Sequence, residues 1–323
     1  MYDADRSRSG IARGLSVENH SAQYYFSLHG LSNYLHFQIF LFSLFLLIYL
    51  FTLVGNGMIM LAVRTSPHLQ SPMYFFLSHL SFLDMCYSSV TVPSMLETII
   101  EKQKTISAGE CFTQSFFILL SATTEVFILS SMAYDRHSAV CQPLHYMELM
   151  NISFCRKLVA TAWIIGFFYA LTNTLPLLRL QFCGSNVIRH FSCELPSIIS
   201  LSCNDTLTNQ MLFFLSGGAV GLISLFLTVL SYIYIISTIL KINSTEGRYK
   251  AFSTCSSHLT VVILFYGTGY FCYLRPSSAT SVILDTILSI QYSILTPLLN
   301  PIIYSLQNKE MKAAFRKMLR LKS

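Results

Sequence analysis

Seven stretches of the chain run apolar for about twenty residues or more, separated by short polar segments: roughly 37–63, 73–96, 111–134, 158–178, 211–240, 251–274 and 282–306. A helix of about 20 apolar residues spans the hydrocarbon core of a bilayer. None of the seven alternates apolar with polar residues, which argues against a β-barrel. The pattern predicts an all-α membrane protein, a seven-transmembrane helix bundle. The first run is too long and too far from residue 1 for a cleaved signal peptide, and reads as a signal-anchor helix. The expected organisation is an extracellular tail over 1–36, the bundle over 37–306 and a cytoplasmic tail over 307–323.

Composition agrees. Hydrophobic residues make up 53% of the 323 and charged residues 11%, against about 25% charged in soluble domains. The net charge of +6 does not indicate nucleic acid, because the charges flank the apolar runs and no groove-reading motif is present. Lys and Arg set the orientation. With the carboxyl end inside, the inner segments hold thirteen of them and the outer segments eight, so the amino end is expected outside. Residues 1–17 carry no helical pattern and are expected to be disordered. Asn19 opens a glycosylation tripeptide on the outer side. Asn151, Asn204 and Asn243 match too, but of these only Asn204 falls outside.

Ionisable groups at membrane depth are functional candidates by default. Asp84, Glu125 and His258 stand out. In the third run, positions 118, 122, 125, 129, 132 and 136 share one helical face. If Glu125 points into the bundle, Ile118 and Ala122 line it above and Arg136 lies at the inner boundary. Further stripes are Asp84, Ser88 and Thr91; Gly217, Gly221, Ser224 and Thr228; and Ser289, Ser293, Thr296 and Asn300. Such stripes signify close packing or a lined cavity. Two buried carboxylates cannot both remain charged unless a cation sits between them. A sodium ion between Asp84 and Glu125 is one reading, and a protonated carboxyl bonded to Ser or Asn is the other. Pro93, Pro176, Pro297 and Pro301 permit kinks.

Four of the nine cysteines, Cys111, Cys183, Cys193 and Cys203, fall on the outer side. Oxidising conditions let them pair, and four cysteines allow three connectivities. Cys255 and His258 have the spacing of half a metal site, which is weak evidence on its own.

Several segments together resemble one family. They are "GN" at 55–56, "SPMYFFLSHLSFLD" at 71–84, "MAYDRHSAVCQPLHY" at 132–146, "KAFSTCSSHLTVV" at 250–262, "FYGTG" at 265–269 and "PLLNPIIYSLQNKEMKAAF" at 297–315. The chain resembles the odorant receptors, within the rhodopsin-like G-protein-coupled receptors. The resemblance covers about residues 19–318. It implies that Asp135 and Arg136 form a switch at the cytoplasmic end of the third helix. Pro143 would lie in the loop that meets the G protein, and Tyr232, His258, Asn300 and Tyr304 would belong to the same switch. It further implies disulfides Cys111–Cys193 and Cys183–Cys203, with a lid over about 179–210, and brings Asp84 and Glu125 together. Three positions depart from the family: His137 for Tyr, Ser138 for an apolar residue, Gln142 for Asn.

The expected function is conversion of binding of a small, mostly apolar, volatile ligand into activation of a heterotrimeric G protein of the stimulatory, olfactory type, at the plasma membrane. The ligand lining would be Ile118, Leu119, Ala122, Thr123, Gly217, Val220, Tyr266, Tyr270, Tyr273, Ser289 and Ser293. No cofactor is expected beyond the sodium ion. A receptor sensing a metabolite in non-olfactory tissue is the alternative. A transporter or channel would show matched half-sequences, which are absent, and no nucleophile–base spacing suggests an enzyme. An amphipathic helix is expected after residue 306, with Met311, Phe315, Met318 and Leu319 on one face and Lys312, Arg316 and Lys317 around it.

Overall fold

A computed structural model describes residues 25–29, 35–101, 103–183, 186–188, 190–273, 287, 289–307 and 309–320. The long helices are α1 (Leu35–Thr65), α2 (Pro72–Glu101), α3 (Ala108–Cys141), α4 (Ile152–Thr174), α5 (Leu207–Lys241), α6 (Thr245–Tyr273), α7 (Thr296–Gln307) and α8 (Lys309–Arg320). A π-helical turn, Gln291–Leu295, leads into α7. Four helices are long and apolar enough to cross a membrane by length and composition alone: α1, α3, α4 continued to Arg179, and α5. That standard was met among the described residues alone, and α7 and α8, at 12 residues each, are shorter than a span.

Local chemistry sets where the helices begin. Ser107 and Glu110 form a reciprocal cap at α3: Ser107 N–H donates to Glu110 Oε2 at 3.0 Å, and Glu110 N–H to Ser107 Oγ at 3.3 Å. Asn151 Oδ1 accepts the Phe154 N–H at 2.9 Å and starts α4. Pro72, lacking an N–H, occupies the first position of α2. Several helices run past the apolar runs, since a helix does not stop at the lipid boundary. The run 111–134 becomes Ala108–Cys141, and 73–96 becomes Pro72–Glu101.

α3 is the central post, packed against α2, α4, α5 and α6. α1 packs on α2 and α7, and α7 closes on α6. Large apolar side chains point outward all round: Phe40, Phe51 and Val54 on α1, Leu215, Leu222 and Phe226 on α5. An apolar exterior of this extent requires lipid as its solvent.

Two close approaches explain two glycines. A Cβ on Gly166 would collide with Thr124 Oγ1, so the close approach of α4 to α3 there needs a residue without a side chain. A Cβ on Gly55 would lie 3.2 Å from Pro301 Cγ. There Asn56 Nδ2 donates to the Pro297 carbonyl at 3.0 Å. Pro301 has no N–H to offer that carbonyl, four residues before it, so α1 supplies the donor that α7 lacks.

The bundle also carries a small sheet that the sequence pattern gave no reason to expect. β1 (Tyr25–His29) pairs antiparallel with β2 (Gln103–Ser107) and parallel with β3 (Val187–Ile188), in the order β2-β1-β3. Phe26 and Leu28 are fully buried beneath it, and the Phe26 ring meets Phe182 edge-on at 5.0 Å. Five alternating residues inside a polar tail are too few to register as a strand. α8 differs in a second way. Met311 and Ala314 are buried, and Phe315 and Met318 pack on the inner core of the bundle rather than only on lipid. Tyr74 of α2 fixes its start, donating to Glu310 Oε2 at 2.8 Å.

Candidate functional site

At one end of α3 the carboxylate of Asp135 is fully buried and doubly held. Its Oδ2 accepts Arg136 Nε–H at 3.0 Å and also the Nη2 group. Its Oδ1 accepts the Tyr146 hydroxyl at 2.8 Å. The Arg136 side chain is 11% exposed. Burial, with the Asp135 charge beside it, holds the Tyr146 phenol above its ordinary range, so it stays a donor. Pairing of both oxygens is what a buried charge requires. Tyr146 begins a short helix, Tyr146–Leu149, in the loop that also presents Pro143. In that loop Leu144 is 95% exposed. Tyr146 carries no separate signal in the sequence, although it closes the same stretch as Asp135.

One turn deeper, His258 of α6 is fully buried. Tyr232 of α5 lies 2.8 Å from its Nδ1, and its Nε2 lies 3.1 Å from the Leu129 carbonyl of α3. One imidazole therefore ties three helices together. Both ring nitrogens are engaged, which leaves none for a metal shared with Cys255. Among the described residues no cluster of three or more His, Cys, Asp or Glu could hold a metal ion.

In mid-bundle Asn300 Nδ2 donates to both oxygens of Asp84, at 3.1 and 3.0 Å. Glu125 lies within electrostatic reach of Asp84, and its Oε1 is buried without a hydrogen-bond partner among the described residues. Ser88 Oγ, a turn from Asp84 on α2, likewise has none among them. Two carboxyls and a hydroxyl form an oxygen donor set of the kind a hard monovalent or divalent cation takes. Tyr304 is buried nearby on α7, its hydroxyl without a partner among the described residues. On α5, by contrast, the Ser224–Thr228 half of the small stripe packs on α3. Ser130 of α3 donates to the Ser224 carbonyl at 3.1 Å and lies 3.2 Å from Thr228 Oγ1.

The other end of the bundle is closed by the loop after α4. Cys111–Cys193 and Cys183–Cys203 are bonded. Phe191, fully buried, enters between Phe45, Met95 and Ile294. Gln114 of α3, which the sequence did not single out, fastens the lid. It donates to the Val90 carbonyl of α2 at 2.8 Å and accepts the Cys193 N–H at 2.9 Å. Asn204 is built into the same loop. Its Oδ1 accepts the Gln181 N–H at 3.1 Å, and its Nδ2 donates to the Arg179 carbonyl at 3.3 Å. Asn19 lies outside the described residues.

Beneath the lid, Ile118, Leu119 and Thr123 are buried on α3 and Ala122 is half-buried. Gly217 and Val220 on α5 and Tyr266 on α6 are half-buried, and the Tyr266 hydroxyl has no partner among the described residues. Ser293 is buried and donates to Ser289 O at 2.5 Å. Leu119 joins the lid's core, with Phe182, Ile188 and Phe213. Tyr270 and Tyr273 fall on α6, but their side chains lie outside the described residues.

A sequence profile described as "Olfactory receptor" matches residues 45–322. The chain belongs to the olfactory receptor family. Human olfactory receptor 5M10 is 47% identical over 305 residues, covering 94% of this chain and 97% of that one. Olfactory receptor 5G9 of Mus musculus is 47% identical over 301 residues, covering 93% and 96%. Olfactory receptor 1E2 of Gorilla gorilla gorilla is 45% identical over 278 residues, covering 86% and 88%. The receptor is thus a seven-transmembrane, multi-pass membrane protein of the G-protein-coupled class, and not an enzyme.

Proposed function

We propose that the receptor binds a small, mostly apolar odorant between the lid and the mid-bundle carboxyls, and that binding activates a stimulatory G protein and raises cyclic AMP. The observation that carries this reading is the Asp135 carboxylate, fully buried and held by Arg136 and Tyr146. That arrangement is a resting latch. Arg136 carries a strong charge on a flexible stem and gains a new partner when the inner ends of the helices separate. Leu144 and Pro143, both exposed beside it, offer an apolar contact to the G protein.

The ligand would be lined by Ile118, Leu119, Ala122, Thr123, Gly217, Val220, Tyr266, Ser289 and Ser293, with Tyr270 and Tyr273 contributing from the same helix as Tyr266. Apolar walls supply the driving force and the hydroxyls orient the guest. None of these residues is charged, which favours neutral ligands. Ligand binding shifts a two-state bundle, and the element that moves is the inner half of α6 around His258. Asn300 and Tyr304 belong to the same rearrangement through α7.

The amino end lies outside, at the plasma membrane, on the strength of thirteen basic residues against eight. Asn19 would carry the glycan, since the Asn204 amide is engaged within the lid. A sodium ion would be held by Asp84 and Glu125, with Ser88 completing its oxygen shell. It would supply the charge compensation that two buried carboxylates need.

A cyclic-AMP reporter screen of volatile compounds tests the proposal, run beside Arg136→Ala and Tyr270→Ala. The first is expected to abolish the response and the second to reorder the active ligands. Unchanged responses in both would refute the latch and the pocket together.

A further inference from the structure

On the lipid-facing side of α4 and α5 a cleft of about 350 Å³ opens, lined by Ile164, Ile165, Phe168, Tyr169, Asn173 and Ser216, with Thr172 at its edge. Its floor is polar. Asn173 is 4% exposed. Its Nδ2 donates to the Tyr169 carbonyl at 2.9 Å and to Ser216 Oγ at 3.3 Å. Its Oδ1 is buried and accepts nothing from the described residues. Ser216 already donates to the Leu212 carbonyl at 2.6 Å. The Tyr169 hydroxyl reaches across to α5, where it would stand 3.0 Å from a Cβ on Gly217.

An unsatisfied amide oxygen beside hydrocarbon is costly, because lipid tails offer no donor. The depth of the group identifies what does. The apolar run of α4 ends at about residue 178. At 1.5 Å per residue Asn173 lies about 7–8 Å inside that end along the axis. The polar floor thus sits in the outer part of the leaflet remote from the Asp135–Arg136 latch. Ile164 and Ile165 lie roughly 12–14 Å deeper along α4, and Phe168 lies between. From the headgroup inward the cleft offers a neutral acceptor, two hydroxyls and then a flat apolar wall. No Lys or Arg lines it, so nothing there recognises a phosphate.

We infer that this cleft is a sterol site, in which the single hydroxyl of a membrane sterol meets Asn173, Tyr169 and Ser216 and its ring system covers Ile164, Ile165 and Phe168. A sterol matches the order of the groups: one donor at the interface and a rigid apolar body below it. The inference does not depend on the proposed odorant chamber.

The test uses the full-length receptor in phosphatidylcholine nanodiscs with a photoreactive cholesterol analogue that keeps its 3β-hydroxyl, with labelled peptides mapped by mass spectrometry. Labelling is expected on residues 164–173, with a fall of about fivefold or more in Asn173→Leu, the effect of losing one hydrogen bond. Ile164 is 56% exposed, so Ile164→Trp fills the cleft from the lipid side without disturbing the core. It should abolish the same label, and it keeps the test decisive where Asn173→Leu fails to fold. Unlabelled cholesterol should compete, and its 3α epimer and methyl ether should not. Labelling that persists in Ile164→Trp, or that the methyl ether displaces equally well, overturns the assignment.

Discussion

Pro301 leaves the Pro297 carbonyl without an intrahelical donor, and Asn56 supplies one across the α1–α7 contact. Removing it strands a buried acceptor at a cost of about 1–3 kcal/mol. Asn56→Ala should therefore lower the stability of the solubilised receptor by that amount in thermal unfolding. A change within error would mean that another donor serves Pro297. The glycines give a paired comparison. Gly166→Ala drives a methyl into Thr124 Oγ1 and should cost about 1–3 kcal/mol. Gly221→Ala meets nothing within 4 Å and should be neutral or slightly stabilising, since Ala is the better helix former by up to about 1 kcal/mol. Equal effects would contradict the packing described for α3 and α4. None of these pairings was legible in the sequence. Asn56 and Pro301 are visible as residues, but their partnership is a tertiary fact.

At the scale of elements the seven runs were plain, because lipid demands about twenty apolar residues and nothing else in the chain looks similar. Helix ends were less so, since the final turns of α2 and α3 and the first turn of α6 leave the apolar zone and look like loop. The strand Tyr25–His29 was invisible, its two buried residues, Phe26 and Leu28, being too short a pattern. The cysteine pairing came only from family resemblance, as spacing left three connectivities open. The lid's fastening by Gln114 follows from neither. Gln114→Leu strands the Cys193 N–H and the Val90 carbonyl. Hydrogen exchange over residues 190–199 should then quicken about five- to tenfold, with the Cys111–Cys193 bond intact. Unaltered exchange would show that the disulfide alone holds the lid.

For the whole molecule the architecture divides the work. Disulfides, a small sheet and Phe191 fix one end of the bundle, while the other is held by hydrogen bonds, the Asp135–Arg136 pair and apolar packing, with no disulfide among the described residues. Hydrogen-bonded contacts exchange partners far more readily than covalent ones, so the latch end is the end that can move. Tyr146 and His258 there each join α3 to another element, and Tyr232 of α5 bonds to His258 of α6. The decisive measurement needs no odorant: basal cyclic AMP at matched surface expression in Asp135→Asn, Arg136→Ala and the double variant. Release of Arg136 should raise the basal signal in the first by several-fold. The second and the double variant should fall to background, because the freed arginine is itself the contact. An unchanged signal in Asp135→Asn, or persistent signalling without Arg136, would contradict the latch on which this account of the receptor rests.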